Sequence, residues 1–388
     1  MDAGALIAAI QQNSNGPTIS RKLRELLVEL SSSFQSAPPP SQDEPPAVQA
    51  RLGPVLVALP QFNDGLVRRM FLPAPFEAHG SLHVVCRRLK TLLRSREFLQ
   101  QRVDSGFAEY GLVVAGRNRD GDPMPECLML TSGRWRPITP WSGPRWCACS
   151  AIVEDEDGQP EMWVMGGFSA LPVSGDARMR AVEAYNPRTN AWRSCLPLRQ
   201  GREGAVAGVV GGRLVVAGGY GGDDLTSVEA YTPTGWIPLP PLPHATSGAT
   251  ACVLNGRLYV MGGGVGAGDK LQELEMSEEN GPSWIVKADL PAVREQAASA
   301  VVDGKLWLLG GNDEDYQETD SVFIYDPEGD TWTTGPQLPF TVGSGCATMH
   351  DGDVHLISQH GTLIYRGSAW LWIPGGQNDP TGQSLLLG

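Results

Sequence analysis

Three histidines, His350, His355 and His360, recur every five residues near the end of the sequence. Imidazoles are common metal ligands and general bases, so their spacing decides whether they can act together. A step of five along one strand places successive side chains on opposite faces. No second histidine cluster and no tyrosine-cysteine pair accompanies them, so surface and turn histidines are the plainer reading. Cys147-x-Cys149 is half of a four-thiolate zinc pattern and lacks the other half. The seven cysteines, Cys86, Cys127, Cys147, Cys149, Cys195, Cys252 and Cys346, are an odd number at no disulfide-like spacing. They read as reduced thiols, which points to the cytoplasm, the nucleus or both. No glycine-rich phosphate loop with a lysine, no Ser/His/Asp order and no HExxH motif is present. The expectation is a binding protein with no catalytic residues, metal or cofactor.

The positioning elements are read from a repeat. Apolar runs ending in a glycine doublet recur at Gly166-Gly167, Gly218-Gly219, Gly262-Gly263 and Gly310-Gly311, with second glycines 52, 44 and 48 residues apart. Each doublet is followed by a loop, in most copies by a tyrosine (Tyr185, Tyr231, Tyr325), and then by Trp192, Trp236, Trp284 or Trp332. The unit from Arg294 to Pro339 holds four short strands punctuated by Gly, Asp and Pro, as strands and hairpin turns are. Four twisted strands expose two apolar faces that one unit cannot cover, so the units must stack. The glycines read as close backbone approaches and the tryptophans as packing against the neighbouring unit.

The period and these residues resemble kelch repeats, and that resemblance implies one propeller blade per repeat. An incomplete first blade follows Tyr110, with Gly116 and Trp135, and a last one carries Tyr365 and Trp370. The expectation is a six-bladed propeller over residues 106–388, closed by Ser384 to Leu387 as the innermost strand of the first blade. The copper site of kelch oxidases and the Glu-x3-Asp-x3-His pattern of iron-binding kelch specifier proteins have no counterpart in this sequence.

The segments before the repeats differ in character. Residues 1–36 form a polar tail with an amphipathic helix through Ile19, Leu23, Leu26, Leu27 and Leu30, and residues 37–54 are a proline-rich linker. Residues 55–105 read as three short helices, the middle one apolar along Leu82, Val85, Cys86, Leu89 and Leu92. The run His79-x-x-Leu82-x-x-Val85-Cys86-Arg87-Arg88, with Glu97-Phe98, resembles the F-box of plant kelch proteins. Leu89 replaces that family's tryptophan, and Leu59-Pro60 sits three residues early. By this resemblance, Phe62, Leu66, Met70, Leu82, Val85, Cys86, Leu89 and Leu92 would contact a Skp adaptor and through it a cullin. The fold expected is mainly β, a propeller preceded by a small α-helical F-box-like domain.

Residues 51–105 carry nine Lys and Arg against four Asp and Glu, whereas residues from 106 onward carry 18 against 34. An acidic propeller excludes nucleic acid as its partner. No apolar run reaches about 18 residues, and the opening MDAGALIAAIQQ lacks a basic leader region, so neither membrane spanning nor secretion is expected. In kelch propellers the loops between blades and after the doublets share the binding face. That places Arg145, Arg202, His244, Arg294 and Phe340, with Tyr220 and Tyr316, as residues for a protein substrate. The arginines are expected to face the channel mouth and grip carboxylates or carbonyls. Together the resemblances imply a non-catalytic substrate receptor of an SCF ubiquitin ligase. A kelch scaffold without a ligase role is the alternative, and a propeller oxidoreductase a further one that a metal site would favour.

Overall fold

The computed structural model describes residues 112–117, 123–131 and 134–373, apart from 157, 170–176, 265, 278, 351 and 359. The tail, the linker, the region 55–105 with its adaptor residues, and Ser384 to Leu387 lie outside the described residues. What is described is all-β. A three-stranded sheet (Leu112–Arg117, Pro123–Thr131, Arg134–Ile138) is followed by five four-stranded antiparallel blades. The first blade spans Cys149–Glu154 to Ala191–Ser194, the second Val206–Val210 to Gly235–Leu239, and the third Thr250–Leu254 to Gly281–Val286. The fourth runs from Ala298–Val302 to Thr331–Thr334 and the fifth from Gly345–His350 to Ala369–Ile373. This corrects the six-bladed expectation with its helical domain: five blades have four strands, the opening sheet has three, and no described residue is helical.

Local chemistry sets the hairpins. The first two strands of the second, third and fourth blades are joined by Gly211-Gly212, Asn255-Gly256 and Asp303-Gly304, every one at positive φ between 48° and 74°. Turns with two left-handed residues match the right-handed twist of the strands they join. The second strand of each of these blades is a continuous apolar run buried on both faces. Leu214 and Val216 pack back against Trp163, Met165, Val182 and Ala184 of the first blade. Val215 and Ala217 pack forward against Leu258 and Val260 of the third. The core is therefore a series of layers between neighbouring blades, and each buried aliphatic side chain contributes roughly 1.5–3 kcal/mol before chain entropy is counted.

A hydrogen bond recurs at each of the five described junctions. The indole N–H of Trp192, Trp236, Trp284, Trp332 and Trp370 donates to the carbonyl of Thr139, Leu196, Pro240, Ala288 and Pro336, at 2.7–3.0 Å. Each acceptor lies just past the last strand of the preceding sheet. In the fourth blade Asp330 Oδ1 also accepts from the amide of that same Ala288 (2.9 Å) and from the Tyr325 hydroxyl (2.6 Å). Asn190 does the same in the first blade with Thr139 N and the Tyr185 hydroxyl. The Tyr325 hydrogen bond, helped by the Ala288 amide, holds the Asp330 carboxyl below the usual carboxylate range.

Trp332→Phe removes the donor and keeps most of the packing, so it should cost about 1 kcal/mol in denaturant titration. Trp332→Ala removes the ring as well and should cost about 3 kcal/mol or more. Equal losses for the two variants would show that the indole hydrogen bond contributes nothing.

Candidate functional site

The segments entering each blade and the loops leaving its second strand meet on one face. Glu203 and Tyr220 exchange backbone hydrogen bonds, as do Glu295 and Asn312, and Trp146 pairs with Phe168. The doublets join these segments around the ring. The second-glycine amides of 167, 219, 263 and 311 donate to the carbonyls of Arg202, Thr246, Arg294 and Val342 in the next blade, each at 2.8 Å. A Cβ on Gly218 would stand 2.6 Å from Thr246 O, and one on Gly310 2.5 Å from Val342 O. Closer in, Gly204 N donates to Cys147 O, Gly248 N to Gly204 O and Gln296 N to Gly248 O, a chain of bonds at 2.7–2.9 Å. All four residues have positive φ, 50° to 63°.

This register identifies the repeat-equivalent positions as Arg145, Arg202, Thr246, Arg294 and Val342. His244 and Phe340, matched to the arginines in the sequence reading, lie two residues earlier. The arginines are buried rather than presented at the surface. Arg145, Arg202 and Arg294 are 2%, 1% and 6% exposed. Arg202 pairs with Glu229 at 2.7 Å and donates to Gly218 O (2.6 Å), Ser227 O (3.0 Å) and Ser227 Oγ (2.9 Å). Arg145 pairs with buried Glu183. Arg294 bonds Ser321 Oγ (2.5 Å) and lies 4.9 Å over the Phe323 ring. Burial pulls Arg145 and Arg294 below the usual guanidinium value, against the opposing charges of Glu183 and Asp313 respectively. Where the position is Thr246, its hydroxyl takes over one of these bonds, donating to Gly262 O at 2.9 Å. The residue at this position varies with its neighbour on the third strand: Glu183, Glu229, Gln272 or Phe323.

Turning each arginine inward turns the next residue outward, as strand alternation requires. Trp146, Glu203, Ser247 and Glu295 occupy those positions. Trp146 stacks on Phe168 (6.0 Å, 12°), while Arg178 covers the Tyr220 ring at 4.6 Å and lies 3.5 Å from Glu203. Asp224 accepts from Ser247 Oγ at 2.6 Å. Burial and the Asp224 charge push the Glu295 carboxyl above the usual range. Among the predicted substrate residues, Tyr220, His244 and Phe340 are half-buried on this face and Tyr316 is exposed. Glu203 and Glu295 are absent from the residues read from the sequence; strand alternation one residue beyond Arg202 and Arg294 is the signal that marks them.

The histidines are rearranged too. His350 and His355 lie on adjacent antiparallel strands, and their rings stand 5.2 Å apart. Among the described residues no group of three His, Cys, Asp or Glu side chains is gathered as a metal set would be. Cys149 and Cys252 are buried, and burial pushes their thiols up to about 12 and about 11.

The Kelch motif family model matches residues 201–243 and 294–339, which are the second and fourth blades with their entry segments. Those two stretches are similar to kelch motifs. An F-box/kelch-repeat protein of Arabidopsis thaliana is 27% identical over 182 residues, 45% of this chain and 46% of that protein. The F-box protein AFR of Arabidopsis thaliana is 26% identical over 191 residues, 46% of this chain and 47% of its own length. The match thus spans about half the length of these relatives. The solved structure of YjhT aligns with a TM-score of 0.54 at 16% identity, over 64% of this chain and 90% of its own, which is a likeness of fold. The resemblance to plant F-box/kelch proteins read from the sequence agrees with these relatives.

In this propeller the arginines are predicted to be structural. Arg202→Ala leaves Glu229 buried without its partner and should cost about 3–5 kcal/mol. Arg202→Leu with Glu229→Leu removes the unpaired charge but leaves Gly218 O, Ser227 O and the Arg199 and Gln200 amides without these partners, so it should recover only part of that loss. Denaturant titration of the three chains tests this, and an Arg202→Ala chain as stable as wild type would return the guanidinium to the surface.

Proposed function

We propose that this chain is the substrate-recognition subunit of an SCF-type ubiquitin ligase, working in the cytoplasm, the nucleus or both. The observation that carries the reading is the order of its parts: a segment with the F-box-like run His79 to Arg88 precedes a kelch propeller, and two Arabidopsis relatives bear F-box names. Residues 55–105 would bind a Skp adaptor through Phe62, Leu66, Met70, Leu82, Val85, Cys86, Leu89 and Leu92, with a cullin attached through the adaptor. The propeller would hold a protein target on its loop face. Of the residues read from the sequence, Tyr220, His244, Phe340 and Tyr316 stand on that face, and the three arginines brace it from within. The chain itself would catalyse nothing; it would raise the local concentration of target lysines at the transfer site.

Leu89, in place of the family's tryptophan, and the displaced Leu59-Pro60 favour a second reading, a kelch scaffold that does not engage the adaptor. Adaptor capture separates the two. Wild type should retain the Skp adaptor, while Val85→Asp with Leu89→Asp should lose it, because two carboxylates buried without partners cost several kcal/mol. A wild-type chain that captures no adaptor, or a double variant that captures it undiminished, ends the ligase reading.

A further inference from the structure

Large apolar side chains normally leave water, so those the fold keeps outside ask for a reason. Two of the most exposed in the described chain belong to the fourth and fifth blades: Tyr316 is 69% exposed and Trp372 54%. Phe340 stands edge-on to Trp372 (6.0 Å, 79°) and to His360 (5.4 Å, 76°). The Trp372 indole donates to the His360 carbonyl at 3.1 Å, which fixes the ring and leaves much of it in water. Glu318 reaches the same place, with its carboxylate 3.8 Å from His360 Nε2 and 3.4 Å from the Thr341 hydroxyl that donates to it. Tyr316 comes two residues before Glu318, at φ +59° in a turn closed by Asp313, whose carboxylate accepts the amides of Asp315 and Gln317. A tyrosine in the left-handed region is uncommon, and strain of this kind persists only where the surroundings hold it.

The charge around these rings has one sign. Asp313, Glu314, Asp315 and Glu318 fall within six residues of one loop. On this face of the two blades the basic side chains are Arg294, which is buried, and His360. Lys305 and Arg366 sit at the other end of their strands, paired with Asp326 and Asp353.

We propose that this aromatic and acidic surface docks an extended segment of a partner protein that carries lysine or arginine beside an apolar side chain. The apolar side chain would lie on Phe340 and Trp372. The cation would sit against the aromatic faces and the 313–318 carboxylates, where ring quadrupole and full charges attract it together. An acidic segment would meet like charge, which gives the surface its selectivity. This deepens the reading of the loop face as the target-binding side and is independent of the adaptor.

The test uses the full chain and a phage-displayed random library of peptides of about twelve residues, long enough to cross the loop face in extended form. Enriched peptides should carry Lys or Arg beside an aromatic or large aliphatic residue. Their affinity, read by fluorescence anisotropy, should fall at least about tenfold with Tyr316→Ser, with Trp372→Ser, and with Asp315→Lys plus Glu318→Lys. It should also weaken between about 50 and about 500 mM salt, as screening requires. Acidic or uncharged winners, no enrichment, or binding unchanged in these variants overturns the proposal. So does carbodiimide coupling that joins residues 51–105 of the same chain to the 313–318 loop, since the basic stretch would then be the occupant. Adaptor capture is scored in parallel: its loss with peptide binding intact ends the ligase reading alone, and the converse ends this inference alone.

Discussion

Each blade is held to the one before it by a tryptophan whose indole N–H reaches a carbonyl just past the preceding sheet's last strand. All five junctions described make this bond. The partners around it are less constant. Tyr185, Tyr231, Tyr325 and Tyr365 face the ring across the strand pair in four blades, but Leu274 takes that place in the third, and Trp284 still reaches Pro240 O. A directional bond at each junction sets the register in which the apolar layers interlock, because area burial by itself has no direction. Once register is set, the glycine doublets follow: they lie where the next blade's entry segment passes too close for a Cβ.

The same close approach explains the inward arginines. The entry segment crosses the end of the second and third strands, whose carbonyls and polar side chains would otherwise be buried without donors. Arg202 supplies four such bonds around Gly218, Ser227 and Glu229, and Thr246 with Gln272 supplies a neutral version one blade on. A buried charge pair of this kind is weak evidence for added stability but strong evidence that removing one member is costly. It also places three cations in the interior, so the surface above carries Glu203, Asp224, Glu295 and Glu318, with Arg178 paired to Glu203.

Function on such a frame belongs to the loops, since the blades' own side chains are committed to their neighbours. The face is uneven. The first and second blades present Trp146 on Phe168 and Arg178 on Tyr220, rings already covered by a partner. The fourth and fifth present Tyr316 and Trp372 to water beside carboxylates. Recognition by a repeat scaffold arises from that inequality between loops that the repeat would otherwise make alike.

The repeat was legible in the sequence because glycine, tryptophan and turn residues answer local demands: positive φ, absence of a Cβ, a two-residue hairpin. The all-β class, the stacking of units and the structural role of the Gly-Gly and Trp positions followed from the residues and their spacing, and the propeller blades from the resemblance to kelch repeats. Blade completeness did not, because strand pairing is a contact between distant residues and the sequence carries no mark of which strand joins which sheet. Nor did the direction of a side chain at an irregular entry segment. Arg145, Arg202 and Arg294 looked like a ring of cations at the mouth, and only the register of the backbone bonds at Cys147, Gly204, Gly248 and Gln296 turned them inward and their neighbours out. His350 and His355 likewise met across two strands because a tight turn folds five residues back on themselves. Composition and local conformation were written in the residues; which charges the loop face presents was decided by tertiary register, because one residue's shift along an extended chain exchanges inside for outside.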